Sequence, residues 1–293
     1  MISPSLPPAL KAALDAKFEG AARSAIAARA EKISRTYRDG GGSGAIASET
    51  DALAYAAARM PATYAALAAS LNALGEIKPE FLPQSLLDVG AGPGTATWAA
   101  AEAFISLKTF ILLDANDALG TLARDLAQGS SRLDQMTYQR GDAATLLASS
   151  APADLAIASY VVGELGDAER SKLAALLWTR TADTLVVVEP GTPAGYARII
   201  ALREQLIADG AHVVAPCPHD GACPLRVPDW CHFTQRLPRS RAPQAGQGRG
   251  AAVRGREIFL CRLVEKRRRE PPVPRAGAAR RRQGRGGGQT LHR

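Results

Sequence analysis

A chain of 293 residues with 46% hydrophobic positions can bury a full core in one or two domains, and its formal charge of +8 is confined to one end. Residues 241–293 carry 15 Arg and Lys against 3 Asp and Glu, while residues 1–240 carry 21 basic against 25 acidic residues, which argues against broad phosphate binding by the body. No stretch reaches the roughly 18 apolar residues of a membrane span, and the start lacks a basic-then-apolar signal, so the expectation is a cytoplasmic protein with no membrane partner, monomeric when alone.

In chain order, residues 1–80 read as a helical N-terminal subdomain. Prolines open the segment LPPALKAALDAKF, AARSAIAARAEKISRTY runs to a break at Gly40–Gly42, and Ser48 to Asp51 offer caps for DALAYAAARM. Pro61 then begins a further helix, ATYAALAASLNAL. From residue 81 to 210 the period changes. The short apolar runs SLLDVG, TFILLDA, ADLAIASYVVGEL and TLVVVEPG alternate with helix-length segments, which predicts a parallel sheet with crossover helices, an α/β Rossmann-like domain. Residues 211–240 form a Pro- and Cys-rich insert, and residues 241–293 are a low-complexity basic tail without apolar periodicity, disordered at face value.

The chemistry starts at Asp88-Val-Gly90-Ala-Gly92-Pro-Gly94-Thr95, a strand entering a glycine-rich turn and then a helix. Small residues let the backbone approach a ligand, and the helix N-terminus favours negative charge. A bare three-glycine loop suits any dinucleotide. The pattern D-x-G-x-G-x-G, with an acid ending the next strand at Asp114 to accept ribose hydroxyls, favours S-adenosylmethionine over a nicotinamide cofactor or an empty pocket. Asp142 stands where methyltransferases of this class present an acid near the adenine amine. The bland alternative makes Asp114 and Asp142 ordinary strand-end and turn residues. The catalytic residues are not legible: Tyr160 and Glu164 lie where the fold places substrate-facing groups, yet such residues are more often packing and capping ones. Methyl transfer needs mainly proximity and desolvation, which leaves a faint residue signature.

Cys217, Cys223 and Cys231 lie within fifteen residues, among prolines and without a competing apolar run. That pattern predicts a metal-binding segment. Zinc needs a fourth ligand, which His219 or His232 would supply. An iron–sulfur cluster wants thiolates, typically four. Spacing alone leaves both open.

The segments LLDVGAGPGTATWAA, SYVVGEL and VVVEPGTPAGYARI, and above all CPHDGACPL with DWCHFTQRLPRS, resemble the methyltransferase-like proteins of the mitochondrial small ribosomal subunit and their bacterial relatives, the Rsm-twenty-two family, over about residues 55–241. The resemblance implies a class I methyltransferase fold and association with the small ribosomal subunit and its rRNA during assembly or translation. It also implies a four-iron four-sulfur cluster, with Cys217, Cys223 and Cys231 as ligands. A ribosome-associated assembly factor is the first reading. A true rRNA methyltransferase, or a methyltransferase with structural zinc acting on protein or small molecules, are the alternatives.

The family's fourth cysteine follows a Glu-Asp-Glu-Lys-Phe-Ser-Tyr segment near the C-terminus, and neither is present here. Back-translating Arg254 to Cys261 with suitable codons and reading one nucleotide later gives that segment. The same offset turns Gly288 to Arg293 into Val-Lys-Leu-Cys-Thr. The tail is therefore expected to be frame-shifted, with Cys261 an accident of the new frame rather than a ligand.

Overall fold

The computed structural model describes residues 1–19, 23–38, 41–237 and 256–265. Two helices, α1 (Pro8–Glu19) and α2 (Arg23–Arg38), and a 3-10 turn at Ser43–Ala45 lead into the long helix α3 (Glu49–Ile77). Ser48 starts α3 with a capping box. Its hydroxyl accepts from the Asp51 amide, and the Asp51 carboxylate accepts from the Ser48 amide, so two orphan donors are met reciprocally. The helix break expected at Pro61 does not occur, and α3 runs through it. Pro61, Ala57 and Ala58 all face solvent, so water can take the carbonyl that Pro61 cannot serve, while Met60 and Tyr64 on the inner face stay buried.

Among the described residues the sheet has eight strands in the order β3-β2-β1-β4-β5-β8-β6, with β7 also on β8. Strands β1 (Ser85–Val89), β2 (Thr109–Asp114), β3 (Thr137–Arg140), β4 (Ala153–Ser159) and β5 (Thr181–Pro190) pair in parallel. Their connections carry α4 (Thr95–Ala103), α5 (Asp117–Ala127), α6 (Ala143–Ser149) and α7 (Asp167–Arg180). Helix α8 (Pro193–Ala208) follows β5 and leads to β6 (His212–Ala215) and β7 (Phe233–Arg236). Parallel strands buried on both faces read as continuous apolar runs, which is why SLLDV, ADLAIAS and TLVVVE were visible in the sequence.

Alternate residues of those strands feed two cores. Leu86, Leu112, Leu155, Ile157 and Val186 pack with the N-terminal helices, α4 and α5, whereas Leu87, Val89, Leu113, Ala156 and Val187 pack with α7 and α8. The first core also holds Leu10, Ile33, Met60 and Tyr64, so the helices before the sheet share its hydrophobic interior. Among the described residues, no helix is long and apolar enough to cross a membrane.

The expectation that the chain beyond residue 241 holds no ordered element is corrected for one segment. β8 (Arg256–Glu265) enters the sheet antiparallel to β5, from Thr184↔Glu265 to Pro190↔Phe259, and it takes β6 and β7 on its other side. The apolar stretch Ile258 to Cys261 is long enough for a strand, but the Arg-rich sequence around it hid the pattern. Cys261 stands in register with Val188. The remaining tail, residues 241–255 and 266–293, lies outside the described residues, as does the segment expected to supply a fourth ligand.

Candidate functional site

The glycine-rich turn sits at the C-terminal end of β1, between the exits of β2 and β4, where ligands bind in open α/β sheets. Gly90, Gly92 and Gly94 all take left-handed backbone conformations, with φ of 68°, 53° and 79°. At Gly90 a Cβ would also lie 2.6 Å from the Val161 side chain in the loop after β4. Gly90 therefore lets the β1 and β4 exits close on each other.

Asp88 is fully buried and ties the turn to the helix behind it. Its Oδ2 accepts from the Thr97 amide at 3.0 Å and the Thr97 hydroxyl at 2.8 Å. Its Oδ1 is buried and, among the described residues, has no hydrogen-bond partner. Burial pushes the Asp88 carboxyl up to about 7, against the Thr97 hydrogen bonds that pull it down.

Asp114 ends β2 and holds the turn from the other side. Oδ2 accepts from the Gly92 amide at 2.8 Å and Oδ1 from the Asn116 amide at 2.7 Å. Burial raises its carboxyl, opposed by these backbone donors. A carboxylate has about four acceptor positions, so two protein donors leave room for the hydroxyls of a ribose. Asp142 is engaged differently. It caps α6, with Oδ1 accepting from the Thr145 amide and hydroxyl at 2.8 Å each, and these bonds lower its carboxyl.

Two contributors, Tyr138 and Asn116, went unread in the sequence. The Tyr138 hydroxyl donates to the Gly92 carbonyl at 3.0 Å, and Asn116 caps α5. An Asn ahead of an acid-led apolar helix is a start signature, so Asn116 was findable. Tyr138 sits in a short polar strand with no such cue. Tyr160 takes a φ of 58° at the β4 exit, an unfavourable conformation for a residue with a side chain, which clusters at functional sites. Behind it, Glu189 at the end of β5 is fully buried and accepts from Arg198 Nε at 2.8 Å and the Gly163 amide at 3.3 Å. Burial raises the Glu189 carboxyl, and Arg198 is the largest influence holding it down. This pair pins the β4 exit loop to α8.

Polar tethers hold the cysteine segment against the sheet. The buried Arg203 guanidinium on α8 donates to the His219 and Gly221 carbonyls at 2.6 and 2.7 Å, and the Trp230 indole donates to the Gly191 carbonyl at 3.1 Å. Asp220 accepts from the Val213 amide and pairs with His212. Cys217, Cys223 and Cys231 are half-buried and none forms a disulfide, and the Cys223 sulfur lies 3.3 Å from the Tyr196 hydroxyl. Among the described residues, no group of three or more His, Cys, Asp or Glu side chains stands together closely enough to hold a metal ion. Neither His219 nor His232 completes a set with the thiols, and His232 instead stacks on Trp230. The described residues thus do not, as placed, fit a metal centre.

The family model of the mitochondrial small ribosomal subunit protein Rsm22 matches residues 49–280, most of the chain. The chain belongs to the Rsm22 family. It is 31% identical over 198 residues to the human mitochondrial ribosome assembly protein METTL17, covering 62% of this chain and 43% of that protein. It is 27% identical over 215 residues to a mitochondrial Rsm22-cox11 tandem protein of Schizosaccharomyces pombe, covering 63% of this chain and 28% of that protein. This Rsm22-family chain therefore spans less than half the length of these relatives. Among solved structures it is similar to magnesium protoporphyrin IX methyltransferase from Synechocystis with bound S-adenosylmethionine, at a TM-score of 0.45 and 15% identity over 80% of this chain and 90% of that one. An O-methyltransferase family protein from Burkholderia thailandensis gives a TM-score of 0.48 at 11% identity, over 74% and 60% of the two chains.

Proposed function

We propose that this Rsm22-family chain is a methyltransferase-like factor of the small ribosomal subunit, acting in its assembly or in translation, and that it binds S-adenosylmethionine along Asp88 to Thr95. The observation that carries the cofactor reading is the join between Asp114 and the glycine turn. A buried strand-end carboxylate with spare acceptor positions faces a left-handed backbone that leaves room for a ligand. When bound, the cofactor supplies an electrophilic methyl group; this chain's residues hold and orient it, and the Val161–Gly90 closure excludes water.

Calorimetry with S-adenosylhomocysteine tests this. Gly90→Val is expected to abolish binding, since the new side chain meets both an unfavourable φ and Val161. Asp114→Ala is expected to weaken binding by about 1.5–3 kcal/mol, the range for a lost hydrogen bond to a charged group. Variants that bind like the parent sink the assignment. Co-sedimentation with small subunits and with their rRNA tests the partner.

The family resemblance adds a metal. On this reading Cys217, Cys223 and Cys231 hold an iron–sulfur cluster, with zinc as the alternative, after the turns between them close on the metal and a further ligand joins. Anaerobic purification followed by elemental analysis and a visible spectrum is the check. Each Cys→Ser variant is expected to lose most of its metal, and unchanged metal content in all three removes the claim.

A further inference from the structure

Residues 42–46 cross the cofactor edge of the sheet, tied at both ends to loops on either side of the glycine turn. At one end the Ser43 amide and hydroxyl donate to Glu164 Oε2 at 3.1 and 3.0 Å. The Tyr37 hydroxyl bonds the same carboxylate, and Gly42 comes so close that a Cβ there would lie 2.6 Å from Glu164 Oε2. Glu164 ends the 3-10 turn after β4, next to the Val161 that packs on Gly90. At the other end Asn116 Nδ2 donates to the Ser43 and Ile46 carbonyls at 3.0 and 2.8 Å, and the Asn116 amide is itself bonded to Asp114. Strand β1 lies between β2 and β4, so a segment joined to both of their exits passes over the exit of β1, which is the glycine turn.

We infer that residues 42–46 form a strap that closes the cofactor cleft, latched by Glu164, and that its opening sets how fast the adenosyl ligand enters and leaves. This rests on the cofactor reading above. The two ends are unequal. Ile46 is buried in the sheet's first core, whereas Glu164 is exposed and holds the strap by hydrogen bonds alone. The Glu164 end is the one that opens, because exposed polar contacts break at little cost while withdrawing a buried Ile does not.

Stopped-flow exchange of S-adenosylhomocysteine on the full chain, with hydrogen exchange of the Ser43 amide, is the test. Two variants probe the two ends. Glu164→Ala removes the latch, and Asn116→Asp keeps an oxygen to cap α5 while deleting the donor to the strap. In Glu164→Ala both association and dissociation are expected to speed up about tenfold, as the loss of hydrogen bonds to a charged acceptor implies, with Ser43 exchange accelerated in step. Asn116→Asp is expected to move the rates the same way, and the dissociation constant is expected to stay within about threefold, since a gate acts on both directions. Equal rate constants in parent and variants, with unchanged Ser43 exchange, overturn the strap and leave the cofactor reading standing. Ligand binding that appears only in the variants supports it as a closed lid. No binding in any of the three overturns the cofactor reading and, with it, the gate.

Discussion

Asp88→Asn is expected to flatten a pH dependence that the parent shows between about pH 4 and pH 7. The folded-state pKa of Asp88 is raised, from 3.8 to about 7, so its contribution to stability is fully present below pH 4 and is lost as pH rises through 7. About three units correspond to a swing of roughly 4 kcal/mol between the ends of that window. Asp114 and Glu189 are raised in the same sense, while Asp51, Asp142 and Asp220 are lowered, so the parent's profile alone is a mixture. The difference between parent and variant isolates Asp88. Asn keeps an oxygen for Thr97 but leaves a buried amide N–H without an acceptor, at about 1–3 kcal/mol. The variant is therefore expected to be the less stable chain at pH 4 and the more stable one at pH 8, by urea unfolding. Parallel profiles exclude a titrating Asp88.

Arg198→Ala is expected to cost about 3 kcal/mol at pH 8, the lower end of the range for stranding one partner of a buried ion pair. The lower end applies because the Arg198 side chain is 18% exposed while Glu189 is fully buried. Without the guanidinium the Glu189 carboxyl rises further. Its stability contribution is then complete below the unfolded pKa, near 4.3, and lost as pH climbs through the raised value, so the deficit should shrink at pH 5. Arg198→Lys keeps a charge but not the geometry and should recover only part of the loss. A pH-independent deficit in Arg198→Ala points instead to lost packing of the side chain's stem.

What was legible in the sequence follows from what each element buries. Strands β1, β2, β4 and β5 are apolar because helices cover both faces, and the turn from Asp88 to Thr95 shows because left-handed backbone demands glycine. Thr137–Arg140 was not legible as a strand, being an edge strand whose residues face water in part, and Pro61 misled because its local rule was overridden by a solvated outer face. At the candidate site, Asp88 and Asp114 could be singled out by their place at strand ends. Tyr138 and Ser43, and the bond that joins Ser43 to the already conspicuous Glu164, depend on contacts 46, 73 and 121 positions apart, which no local pattern carries. The cysteines were conspicuous by spacing, but spacing says nothing of whether the turns between them bring the sulfurs together.

The place of β8 bears on how the chain reaches its fold. The last of the described strands, residues 256–265, does not add to an edge but slots between β5 and β6, whose residues end some forty to seventy positions earlier. Until β8 is in place, that edge of β5 lacks the partner it has in the folded sheet. Such an edge is a template for pairing with other chains, and non-local antiparallel insertion is slow relative to local helix formation. Insertion of β8 is thus a long-range step, and the chain is most prone to pair with other chains while that edge of β5 is open.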